Sequence, residues 1–209
     1  VNPASTSFVL GYHGCDREVA EQVLCGRSTL QPSSNVYDWL GTGIYFWEYN
    51  ARRAFDFAVE AMRRPHNARQ TIREPAVVGA VIDLGMCLNL LDSLHLEEVR
   101  RANRLLVRLL RQAGVPVPRN RGGRERLRRE RDCAVINSLH QSRQESQLPQ
   151  FDSVRAFFVE GRPLYRGAGF RDRNHVQVCV RNIACIKGYF RALDDGGLPV
   201  DFLRLTRGA

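Results

Sequence analysis

Lysine is almost absent from this 209-residue chain: Lys187 is the only one among 31 basic residues, and the rest are arginines. The net charge of +9 implies attraction to something anionic, whether a nucleic acid, a dinucleotide or an acidic protein. Long apolar runs are absent too. No stretch approaches the ~20 residues that a membrane-spanning helix requires. Val1 to Ser7 lack the charged and apolar regions of a signal peptide. These two absences predict a cytoplasmic protein with no membrane partner. The six cysteines form no C-x-x-C pair and have no metal-ligand spacing with the histidines. Reduced and often buried thiols, and no metal site, are the expectation. An apolar content of 44% excludes wholesale disorder, and the length fits one domain over residues 1–209.

What is present is organised around Gly41-Thr42-Gly43-Ile44-Tyr45-Phe46-Trp47-Glu48. Two glycines bracket a small polar residue, which permits a sharp bend or a close backbone approach. The run from Ile44 to Trp47 has strand composition. Asn50 then offers an N-cap to a helix over Ala51 to Met62, whose residues Ala51, Ala54, Phe55, Ala58, Val59 and Met62 share one face. Upstream, a strand from Thr6 to Leu10 ends in a second glycine element, Gly11-Tyr12-His13-Gly14. Asp16 caps a short helix that Gly26 ends.

Further along, Val77 to Leu84 reads as a strand, and Ser93 opens a long amphipathic helix that stops at Gly114. Arg119 to Arg131 holds seven arginines and two glutamates, a surface stretch and not core. Asp132 to His140 is again apolar. Val154 to Val159 is a strand. From His175 to Arg181 the chain alternates, with Val176, Val178 and Val180 on one face and His175, Gln177, Cys179 and Arg181 on the other. A last strand covers Ile183 to Phe190. Short strands mixed irregularly with helices predict an α+β fold with a mainly antiparallel sheet. Residues from about 93 to 150 read as helical and arginine-rich.

Tyr12-His13-Gly14, Gly41 to Phe46 and the strand after Asn174 together resemble the ADP-ribosyltransferase superfamily, in its diphtheria-toxin and poly(ADP-ribose) polymerase branch with a His-Tyr-Glu triad. They are similar to that branch's aromatic-His-Gly, Gly-x-Gly-x-Tyr-Phe and Asn-Glu-Tyr elements. The resemblance covers Phe8 to Ala58 and, more loosely, Val154 to Phe190; it leaves about Thr71 to Gln150 unmatched, which implies a helical, arginine-rich insertion over about 93–150. It implies a split antiparallel sheet with flanking helices, and NAD as a substrate. His13 would hold a ribose hydroxyl, and the backbone of Gly14 would pair with the nicotinamide carboxamide. Tyr45 would stack on the nicotinamide ring, with Phe57 or Phe55 on its other face. Tyr12 and Gly43 would complete the binding elements. Aromatic faces suit a flat cationic ring, and a backbone amide pair suits a carboxamide.

The late strand departs from the family, because His175 and Gln177 stand where a glutamate is expected. An ungapped register from Asn174 puts His175 at that position, whereas the Glu-x-Glu or Gln-x-Glu pair of the related toxins puts Gln177 there, so both stand as catalytic candidates beside His13 and Tyr45. A neutral glutamine can hydrogen-bond a ribose hydroxyl but cannot stabilise an oxocarbenium-like state by charge. In the family this change goes with transfer of a single ADP-ribose or with no activity. Glu160, Glu48 and Asp152 are carboxylates that stand in reserve. The resemblance therefore implies a mono-ADP-ribosyltransferase modifying a protein or nucleic acid, a bacterial toxin or defence effector, and the basic charge adds the expectation of an acidic neutralising partner. The alternatives are a non-catalytic module binding NAD, ADP-ribose or nucleic acid, and an NAD glycohydrolase. Tyr37 and Trp39 either line the site or pack beneath the loop. Arg53 and Arg181 either hold a pyrophosphate or are ordinary arginines. Cys15 lacks an orienting third residue for Cys-His chemistry.

Overall fold

The computed structural model describes residues 8–63, 71–122 and 128–193. Seven strands and four α-helices lie among them: β1 (Phe8–Asp16), α1 (Arg17–Leu24), β2 (Ile44–Glu48), α2 (Ala51–Arg63), β3 (Pro75–Asp83), β4 (Cys87–Asn89), α3 (Ser93–Gln112), α4 (Glu130–Glu145), β5 (Ser153–Phe158), β6 (His175–Val180) and β7 (Ile186–Arg191). The expected α+β class with mainly antiparallel pairing is met, since β4 with β5 is a parallel pair and the other ladders described below are antiparallel. The chain divides into two compact units. The first comprises Val1–Gln31, Phe46–Leu84 and Ile183–Ala209; the second comprises Pro32–Tyr45 and Gly85–Asn182.

In the first unit the strand order is β2-β1-β3-β7. β1 continues through Gly11-Tyr12-His13-Gly14 to Asp16 instead of ending at Leu10, because β3 pairs with it along its whole length. The predicted caps are in place. The Asp16 side chain accepts from Glu18 N, and the Asn50 side chain accepts from Arg53 N at 2.9 Å, satisfying main-chain donors that a helix start leaves open. Asp16 also accepts from Arg73 N and Glu74 N. Burial pushes its carboxyl pKa up, but these backbone donors outweigh it and hold the pKa low. Trp47, Ala54, Phe55, Val77 and Ala192 form the apolar centre.

In the second unit the order is β4-β5-β6. β4 is too short to have signalled itself in the sequence. The core gathers Leu40, Leu88, Ile136, Leu139, Phe151, Val154 and Cys179. Full burial of a Val, Leu or Ile side chain contributes ~1.5–3 kcal/mol, so Val135, Ile136 and Leu139 are the apolar anchors of α4. α3 packs on α4, yet none of its 20 residues is buried. The arginine run is partly visible: Arg121 and Arg128 exchange backbone hydrogen bonds at 2.7 and 2.9 Å. Residues 123–127 of that run lie outside the described residues, as do Thr6 and most of the predicted loop from Arg63 to Glu74. Among the described residues no helix is long and apolar enough to cross a membrane.

Candidate functional site

The first unit carries the His-Gly element. β1 pairs with β2 only at Gly11–Glu48 and Tyr12–Trp47. Leu10 O accepts from Tyr49 N at 2.9 Å on that side, while Arg17 N donates to Glu74 O at 2.8 Å on the β3 side. Along a strand the N–H and C=O of one residue point the same way, and successive residues alternate. Even-numbered residues of β1 therefore turn their main-chain groups toward the β2 edge. Gly14 is the first of them beyond the last β2 rung. A Cβ at Gly14 would stand 2.1 Å from Ala54 O, so only glycine lets α2 cross this closely. His13 is half-buried, with its ring 5.8 Å from that of Phe46. Tyr12 meets Phe190 edge-on. Of the two expected ring partners, Phe55 is buried in the core, whereas Phe57 is exposed and tilted against Trp47 at 4.9 Å. Arg53 is buried, its guanidinium 5.8 Å over the Trp47 ring. The Cys15 thiol is pushed up to about 12 by burial and then by Asp16, so it is protonated at neutral pH and a poor nucleophile.

The glycine turn belongs to the second unit, where four side chains clamp it. The Tyr45 hydroxyl donates to Gly41 O at 2.7 Å and accepts from Leu40 N at 3.0 Å. Asn137 Oδ1 accepts from Thr42 N at 3.0 Å, and Arg181 Nη1 donates to Thr42 O at 2.7 Å. The Cys179 thiol approaches Gly41 O at 3.8 Å. Gly41 has φ 78°, a left-handed backbone that favours glycine. A Cβ on Gly43 would lie 2.5 Å from Cys179 Sγ. Burial pushes the Tyr45 phenol well above its ordinary value and lowers the Arg181 guanidinium. The hydroxyl of Tyr45 is thus engaged in its own turn, and Arg181 serves the turn as well.

β6 brings the two late-strand candidates together. Both faces of the strand are covered: His175, Gln177, Val178, Cys179 and Val180 are all buried, where the alternation alone suggested one polar face. Gln177 Oε1 accepts from the Trp39 indole at 2.8 Å. His175 Nδ1 donates to Arg173 O at 2.7 Å and lies 3.9 Å from the Glu160 carboxylate, which is also buried. Trp39 stacks on Phe158, and Arg129 covers the indole at 4.3 Å. A buried glutamine, a buried His–Glu pair and an aromatic stack therefore share one neighbourhood. Of the reserve carboxylates, Glu160 is in it. Asp152 instead accepts from Met86 N and Asn182 Nδ2. Asn137 carries no signal in the sequence, and Trp39, a candidate for lining the site, gives no sign there of its bond to Gln177, because each acts on a partner 95 or more positions away.

Among the described residues no group of three His, Cys, Asp or Glu could hold a metal ion. No family model matches the chain. The uncharacterized protein MJ0359 of Methanocaldococcus jannaschii is 26% identical over 197 residues, an alignment covering 84% of this chain and 83% of that one. The similarity spans most of both chains and attaches no activity to either.

Proposed function

We propose that this protein binds NAD and transfers a single ADP-ribose to a macromolecule. The observation that carries the reading is the position of Gly14. Its main-chain N–H and C=O face the β2 edge just beyond the last rung, next to His13. A carboxamide offers one acceptor and two donors in a plane, so it can continue such a ladder as a further strand residue would. Nicotinamide is the carboxamide of NAD, and the resemblance of both glycine elements supports the same ligand. In the second unit, Trp39 fixes the carbonyl of buried Gln177, so the amide nitrogen is a donor of set direction for a sugar hydroxyl. Glu160, buried 3.9 Å from His175, is the carboxylate we assign to charge stabilisation. The neutrality of Gln177 favours one rival, a module that binds NAD without turning it over.

Thermal unfolding with and without millimolar NAD tests binding. NAD is expected to raise the melting temperature by mass action, and His13→Ala to remove the rise. An unchanged curve for the unaltered protein refutes the reading. Release of nicotinamide then separates transferase from binding module, and label on a macromolecule separates transfer from hydrolysis.

A further inference from the structure

α3 is amphipathic, yet none of its side chains is fully buried; Val99 and Ala102 are only partly covered by the core of the second unit. Two of its apolar residues, Leu96 and Val99, line a cavity of about 660 Å³ in the second unit. Leu40, Ile136 and the stacked Trp39 and Phe158 form further wall. Small-molecule sites have volumes of about 300–1,000 Å³ and similarly apolar linings with a few polar groups.

The polar groups here are unequal. Three arginines and one carboxylate, Asp132, reach the lining. Arg100 pairs with Glu97 on its own helix, and Arg129 Nη1 lies 3.5 Å from Asp132. Asp132 is further engaged by Asn120 at 2.8 Å. Arg131 differs from the other two. Its Nε and Nη2 donate to a neutral acceptor, Asn103 Oδ1, at 3.1 and 3.0 Å. Among the described residues no carboxylate lies within ion-pair distance of it. Asn103 thus sets the orientation of the guanidinium without compensating its charge, and Arg131 is part of the cavity lining. A charge held this way beside apolar wall attracts an oxyanion whose hydrocarbon body is removed from water in the same step.

We propose that the cavity binds an anionic amphiphile, a small molecule with an apolar chain or ring body against Trp39, Leu96 and Val99 and a single oxyanion head on Arg131. The cavity shares Trp39 and Phe158 with the neighbourhood of Gln177, but its occupant is argued from Arg131 and the apolar wall and is tested in the absence of NAD. The probe is anilinonaphthalene sulfonate fluorescence, with decanoate, decyl phosphate and neutral decanol as competitors. Decanoate or decyl phosphate is expected to displace the probe at roughly tenfold lower concentration than decanol, and the stronger of the two identifies the head group as carboxylate or phosphate. Arg131→Gln should remove that advantage and leave decanol unchanged, and Arg131→Lys should restore part of it. Val99→Trp, which fills the cavity without touching the charge, should abolish displacement by all three, with near-ultraviolet circular dichroism confirming the fold. Equal displacement by decanol and the anions overturns the proposal. So does probe binding that survives Val99→Trp, which would place the dye on the exposed leucines of α3.

Discussion

The indole N–H of Trp39 donates to Oε1 of Gln177 at 2.8 Å, between residues 138 positions apart in sequence. Gln177 is 6% exposed, so its amide is committed to one orientation. A glutamate at this position would also accept from the indole. The bond therefore fits either residue type, and the neutral one reduces the available charge without disturbing the geometry.

This relationship makes the first prediction specific. Gln177→Ala should lower nicotinamide release about tenfold or more while NAD still raises the melting temperature, since single positioned donors contribute on the order of 3 kcal/mol to a barrier. Gln177→Glu should keep or raise turnover. Trp39→Phe, which retains an aromatic ring against Phe158 but loses the N–H, should lower kcat more than it raises KM. If His175→Ala carries the loss and Gln177→Ala does not, His175 is the catalytic position. If neither variant changes release, Glu160 is the next residue to replace.

Arg181 gives a prediction about stability. Its Nη1 bonds the Thr42 carbonyl at 2.7 Å and Asn137 Oδ1 at 3.3 Å. A charged hydrogen bond contributes ~1.5–3 kcal/mol, and removing it leaves a partly buried carbonyl without that donor. Arg181→Met should therefore lower the melting temperature by about 3–10 °C for a chain of this length. NAD should still bind to the folded variant. The opposite result, an unchanged melting temperature with lost NAD binding, would return Arg181 to the pyrophosphate role.

Local features were legible in the sequence because their causes are local. Asp16 and Asn50 cap the helices they precede, Gly114 ends α3 with φ 66°, and the run Ile44 to Trp47 is a strand. The apolar alternation of β6 located the strand. It left open that both faces would be covered, because Val178, Cys179 and Val180 are buried by elements distant in sequence. β4 had no readable signal: three residues, Cys87 to Asn89, become a strand only by pairing with Ser153 to Arg155. The glycine turn was recognised, but its clamps were not. Nothing near Asn137 or Arg181 in sequence announces that each holds Thr42, and nothing near Arg131 announces that its partner is an amide and not a carboxylate.

His140 gives the last prediction, a pH dependence. The ring is 4% exposed, its Nδ1 donates to Ile136 O at 2.8 Å, and it stands edge-on to Phe151. Burial first, then the positive charge of Arg181, and lastly that of Arg143, lower its pKa from 6.5 to about 4, against the bond to Ile136. The unfolded chain thus takes up a proton near pH 6.5 that the folded chain refuses until about pH 4. Between those values the unfolded state binds more protons, so stability rises with pH there and is lost as pH falls. The contribution is full above pH 6.5, and its loss saturates at about 3 kcal/mol near pH 4. Asp16, Glu21 and Glu97 have lowered pKa values, so the stability they contribute is lost only at more acidic pH, starting near their unfolded values. Urea unfolding of the unaltered protein and of His140→Gln, compared at pH 7.5, 6 and 5, isolates the histidine. The difference in stability between the two should shrink by about 2 kcal/mol from pH 7.5 to 5, because only the unaltered chain carries this proton debt. Parallel pH profiles would mean that the folded state accommodates the charged ring, with Phe151 and the two arginines moving aside.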